Sequence, residues 1–128
     1  MVQWHWDLHK RKPTGGKKRP YRKKRRYERG GEPVLTLIGD RKVKIRRQRG
    51  GGLKYSLASD YYANVVDSET GTCKKVKILR VIANKASRDY ERRGVITKGA
   101  IIETEVGKAR VTSRPGQDGI INAILLRE

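Results

Sequence analysis

From residue 34 onward the chain alternates hydrophobic and polar positions with a period close to two. Residues 34–38 (VLTLI) form a short β-rich run closed by Gly39 and Asp40. In the next segment Val43 and Ile45 share one face while Lys42, Lys44 and Arg46 share the other, the pattern of a strand with a basic surface. Strands are predicted again over 54–59 and 61–66, with a turn at 67–71. A long strand follows over 73–83, with Val76, Ile78 and then Arg80 on one side and Leu79 and Val81 on the other. Residues 84–93 are polar and fit a loop or one helical turn. Residues 94–99 and 100–106 are β-like, the latter pointing Ile102, Thr104 and Val106 inward. A strand over 107–112, a turn at 114–119 and a last strand over 120–126 complete the pattern.

Six to eight short strands, punctuated by Gly, Asn and Asp and with no helix of normal length, predict a mainly all-β fold. The architecture expected is a small closed antiparallel β-barrel of about six strands, since closure removes exposed edges. Residues 1–33 break this pattern. Trp4, Trp6, Leu8, Tyr21 and Tyr27 are scattered among charges, and Pro13, Gly15, Gly16 and Pro20 interrupt any helix. The chain is therefore expected to divide into a basic, extended arm (1–33) and a barrel domain (34–128). The arm is too poor in apolar residues to order fully without a partner.

Charge sharpens this division. The 128 residues carry 32 Lys plus Arg against 13 Asp plus Glu, a formal charge of +19. Residues 1–52 hold 18 basic and 4 acidic side chains, 18 − 4 = +14, and residues 53–128 hold 14 and 9, 14 − 9 = +5. Such a balance seeks a polyanion, either nucleic acid or an anionic membrane surface. No run approaches the ~20 apolar residues of a membrane span, and the N-terminus lacks an apolar signal core. Cys73 is the single cysteine, which excludes an internal disulfide and fits a reducing compartment. A soluble intracellular protein with no membrane partner is expected.

Catalytic and cofactor readings fare poorly. Gly15-Gly16-Lys17 resembles the end of a phosphate-binding loop. That loop needs a glycine at position 11 and a hydroxyl at position 18, where this chain has Arg11 and Lys18. His5 and His9, four apart, make too few ligands for a metal site, and they lack the nucleophile or carboxylate of an acid–base site. Glu103 and Glu105 are the only candidate catalytic carboxylates, and such spacing more simply marks the solvated face of a strand. No enzyme, no cofactor, no metal and no small-molecule substrate are expected.

Basic segments interleaved with aromatics and glycines remain. Lys10, Arg11 and Lys12, then Lys17, Lys18 and Arg19, then Arg22, Lys23, Lys24, Arg25 and Arg26 form three clusters in the arm. Arg41, Lys42, Lys44, Arg46, Arg47 and Arg49 form a fourth in the barrel domain. Each cluster can neutralise several phosphates, releasing their counterions. Tyr21, with Tyr27 and the two tryptophans, offers ring faces to unpaired bases. Arg114, in a tight Arg-Pro-Gly-Gln-Asp-Gly turn, is a further candidate contact. An irregular, glycine-punctuated arm without a helix-turn-helix fits structured RNA better than major-groove readout of DNA. The alternative is a free nucleic-acid-binding protein, either an RNA chaperone or a chromatin-like DNA binder.

The residues also resemble a known family. His9-Lys10-Arg11, Thr14-Gly15-Gly16-Lys17, Tyr21-Arg22-Lys23-Lys24-Arg25, Tyr27-Glu28, Arg49-Gly50-Gly51, Lys54-Tyr55 and the run from Thr112 to Gly119 are similar to the pattern of the small-subunit ribosomal protein family S-eight-e, of archaeal and eukaryotic type. The resemblance implies a β-barrel with basic N-terminal segments that bind small-subunit ribosomal RNA. It also implies neighbouring small-subunit ribosomal proteins as partners, a cytoplasmic location on the ribosome and a structural role in translation. Eukaryotic members carry a long insertion before the Ser-Arg-Pro-Gly-Gln segment. Here residues 105–111 alone separate Thr104 from Thr112, so the chain resembles the short archaeal form.

Overall fold

The computed structural model describes residues 2–6 and 10–126 of the chain. Leu8 and His9 lie outside the described residues, and with them the His5–His9 pair. The chain divides into two compact units, Met1–Pro33 and Val34–Glu128.

In the first unit, β1 (Gln3–Trp4) pairs antiparallel with β2 (Arg29–Gly30), and the His5 amide donates to the Glu28 carbonyl at 2.9 Å. A single 3₁₀ turn, Arg26–Glu28, leads into β2. Residues 12–16 form a tight turn closed by the Lys12 amide on the Gly16 carbonyl (3.0 Å) and the Gly15 amide on the Lys12 carbonyl (2.9 Å). Gly15 has φ +82°, a conformation that L side chains resist. The glycine pair of the rejected phosphate loop thus serves to reverse the chain.

The second unit begins with residues 34–38, which make only isolated bridges, Thr36 to Ile96 and Leu37 to Ser59. The Thr36 hydroxyl, buried, donates to the Leu57 carbonyl at 2.7 Å. β3 (Lys42–Arg47) and β4 (Leu53–Ser59) form an antiparallel hairpin in which Val43 lies opposite Leu57 and Ile45 opposite Tyr55. Its tip is closed by the Gln48 amide on the Gly52 carbonyl at 2.7 Å. Gly50 and Gly51 both have φ +84°, so two successive left-handed residues make the reversal, a role that glycine fills without strain.

β5 (Tyr62–Val66), β6 (Cys73–Ala83), β7 (Ile101–Thr104), β8 (Gly107–Val111) and β9 (Asn122–Leu125) form a closed five-stranded barrel. Four seams are antiparallel, and the closing seam between β5 and β9 is parallel, with Val65 opposite Ala123. The core is made of small and branched side chains, among them Ala63, Val65, Val76, Ile78, Ile102, Ala109, Val111 and Ala123, with Leu57 from the hairpin packed into it. Short helices α1 (Arg88–Arg92) and α2 (Pro115–Asp118) occupy the polar segment and the late turn.

Two readings of facing are corrected, in β6 and at Val106. In β6 the pairing shifts between Ile78 and Arg80, which leaves Leu79 as the extra residue of a bulge. Alternation restarts after it, so Arg80 faces outward and Val81 packs on the core, the reverse of strict period two. Val106 is exposed because the strand ends at Thr104 and residues 105–106 form the turn. Ile45 is also exposed, because this end of the hairpin runs past the core that Val43 touches.

Candidate nucleic-acid interface

The arm's framework is centred on Glu28. Its carboxylate accepts from the Arg22 guanidinium and from the Arg25 amide at 3.2 Å. The hydrogen bond from Arg22 holds the Glu28 carboxyl below its ordinary range against the opposing effect of burial, and Arg22 is correspondingly held above its own. Arg22 Nε also donates to the Tyr21 hydroxyl at 3.1 Å. The same guanidinium lies over three rings, Tyr21 at 5.3 Å, Trp6 at 5.6 Å and Tyr27 at 6.0 Å. Trp6 Nε1 is buried without a hydrogen bond of good geometry, although Glu28 is close enough to feel it.

Around this hub the other nominated cations of the arm point to solvent. Lys10, Arg11, Lys12, Lys17 and Arg19 are exposed around the tight turn, with Lys18 half-buried. Lys23, Lys24, Arg25 and Arg26 are exposed along the following loop and 3₁₀ turn, with the Lys24 ammonium over the Trp4 ring at 5.2 Å. Tyr21 and Tyr27 are 90% and 75% exposed, an arrangement that leaves ring faces open. Arg22 differs from its neighbours: it is half-buried and committed to a carboxylate, so it organises the arm.

In the second unit Lys42, Lys44, Arg46 and Arg47 are exposed on β3, and Arg49 sits at the glycine tip. Arg41 lies 3.6 Å from buried Asp60, which also accepts from the Tyr62 amide at 3.0 Å. Arg114 is the N-cap of α2 and is exposed; its backbone holds the turn through the Asp118 carboxylate (2.9 Å) and the Gln117 and Asp118 amides. Glycines seat this turn: a Cβ on Gly116 would stand 2.9 Å from the Val34 carbonyl oxygen, and one on Gly119 would stand 2.9 Å from Tyr55 Cβ.

A further basic–aromatic patch escaped the sequence reading. Lys75 lies over the Tyr62 ring at 4.8 Å and Lys77 over Tyr61 at 5.9 Å, the lysines on β6 and the tyrosines at and just before the start of β5. The alternation of Lys75 and Lys77 with inward Val76 and Ile78 is its trace in the sequence.

The catalytic candidates do not assemble. Glu103 is ion-paired with Arg80, and Glu105 lies beyond the end of the strand, in the turn. Among the described residues no group of three His, Cys, Asp or Glu is placed to hold a metal ion, and no helix is long and apolar enough to cross a membrane. Cys73 is exposed.

Comparison with known proteins places these features in context. The sequence model of the family described as Ribosomal protein S8e matches residues 5–126. Small ribosomal subunit protein eS8 of Sulfolobus acidocaldarius is 56% identical over 119 residues, covering 92% of this chain and 93% of the relative. The protein of the same name from Methanococcus aeolicus is 56% identical over 120 residues, covering 93% and 94%. That from Hyperthermus butylicus is 54% identical over 120 residues, covering 92% and 88%.

Proposed function

The chain belongs to the ribosomal protein S8e family, a family of structural proteins and not of enzymes, and from that premise we propose that it is a structural constituent of the small ribosomal subunit that binds folded small-subunit ribosomal RNA through its arm and basic loops. It acts in translation, on ribosomes in the cytoplasm, beside other small-subunit proteins. The observation that carries the RNA reading is the set of exposed cations around the Glu28–Arg22 hub, where a carboxylate and a guanidinium hold the backbone while Lys17, Arg19 and Lys23–Arg26 are left outward. Phosphate contacts of this kind fix orientation on a folded RNA, and Arg forks to phosphate oxygens where Lys acts as a point charge.

In this account the β3–β4 hairpin is a second contact. Lys42, Lys44, Arg46, Arg47 and Arg49 enter where RNA helices approach each other, and Gly50 and Gly51 let the backbone close on a groove. Arg114 adds a contact from a rigid turn, and Arg22 positions the arm instead of binding phosphate.

Competition between small-subunit rRNA fragments and duplex DNA of equal length, at matched salt, tests the reading. Preference for the rRNA fragments by tenfold or more is expected. Equal affinity would favour a general nucleic-acid binder and overturn the ribosomal role.

A further inference from the structure

The arm lines a half-open cavity of about 610 Å³. This lies within the range of about 300–1,000 Å³ typical of small-molecule sites. Resting on the RNA-binding reading above, we propose that this cavity receives a single unstacked nucleotide of the RNA, its base inside and its phosphates at the mouth.

The lining separates two kinds of chemistry. Trp6 and Tyr21 line the cavity, one face of each ring lying under the Arg22 guanidinium, and every base has a π-face to stack on the other. Glu28 is the buried member of the lining, and it is neutralised by half-buried Arg22. A phosphate deep in the cavity would meet that carboxylate and compete with it for Arg22, whereas a neutral base meets no such opposition. Lys12 and Arg19 line the same cavity and are exposed, so the anionic backbone has its partners on the solvent side. The cations thus select for position and the rings for an unpaired base. A base stacked and paired within a helix does not present its face, so the site distinguishes bulged or looped RNA from continuous duplex.

The test uses the full chain carrying Trp4→Phe, which leaves Trp6 as the only tryptophan. It is titrated with two RNA hairpins of equal length, one bearing a single bulged adenosine and one fully paired. The bulged hairpin is expected to quench Trp6 fluorescence and to bind about tenfold more tightly, the value of one stacked base. Tyr21→Leu, at a side chain 90% exposed, is expected to remove most of that preference, bringing the affinity for the bulged hairpin down to that for the paired one, whereas Tyr21→Phe, which keeps the ring, is expected to retain it. Equal binding of both hairpins without quenching would overturn the nucleotide site while leaving the RNA-binding function standing. Failure to bind either hairpin better than duplex DNA would overturn the RNA-binding function itself.

Discussion

Glu28 is a carboxylate whose value lies in holding a cation still. Its carboxyl titrates lower in the ordered arm than in a free chain, because the Arg22 guanidinium donates to the ionised form. The ordered arm therefore binds that proton less readily. The contribution of Glu28 to arm order is complete above the ordinary carboxylate pKa of about 4.3 and is lost as pH falls through the lowered value. The Trp6 indole NMR signal of the free protein is expected to be constant from neutral pH to about 4.3 and to shift toward its unfolded position below it. Glu28→Gln abolishes that transition. A second residue-scale constraint is Gly119, with φ +74° and Tyr55 Cβ in the way of any side chain. Gly119→Ala is expected to lower stability in urea by at least about 1–3 kcal/mol, the cost of a left-handed non-glycine residue. A change within experimental error would contradict this packing. The glycine in the turn was legible from sequence, since Arg-Pro-Gly-Gln-Asp-Gly reads as a tight reversal. The role of Arg22 was not: among five consecutive cations nothing local marks the one that Glu28, six residues away, captures.

Among the elements, the strand positions were legible where alternation was uninterrupted. The alternation over residues 73–83 predicts the bounds that the strand shows, and Val76 and Ile78 are buried as their period requires. The pattern fails after Ile78 because a bulge adds one residue without changing composition, and only the pairing with β7 reveals it. At Ile45 the facing agrees with the pattern, yet the residue is exposed. A period of two tells which residues share a face but not how far the core extends beneath that face. The parallel seam between β5 and β9 was likewise invisible, being a property of closure and not of either strand alone. The β3–β4 hairpin is the element whose proposed function is most separable from the fold, since its tip is exposed and its charges are remote from the core. Replacing Arg46, Arg47 and Arg49 together by Gln is expected to leave the unfolding midpoint nearly unchanged. The slope of log K against log salt for rRNA binding should become shallower by roughly 2–3, close to one for each phosphate no longer engaged. An unchanged slope would remove the hairpin from the interface.

For the molecule as a whole, charge is densest in the arm, whose 33 residues hold 12 basic and 3 acidic side chains, 12 − 3 = +9, against 20 − 10 = +10 over the 95 residues of the second unit. The first 52 residues hold +14 of the +19, and a chain so charged gains by giving its cations to phosphates. Among the described residues the arm's framework is a short β-pair, the tight turn at 12–16, the 3₁₀ turn at Arg26–Glu28 and the Glu28 hub, which is expected to give protected amides at His5 and Glu28 in the free protein, with rapid exchange across most of residues 10–30. The family was legible from motifs scattered through the length of the chain, because those motifs join the cations of the arm to the glycines of the barrel turns. The arm is proposed to anchor the protein in the small subunit. This is tested most directly by washing small subunits, from cells that make the protein, at high salt and sedimenting them, with the natural chain compared to one in which Lys17, Arg19, Lys23, Lys24, Arg25 and Arg26 are all Gln. The natural chain is expected to remain with the subunit and the substituted one to be released. Release of the natural chain, or equal retention of both, would contradict it.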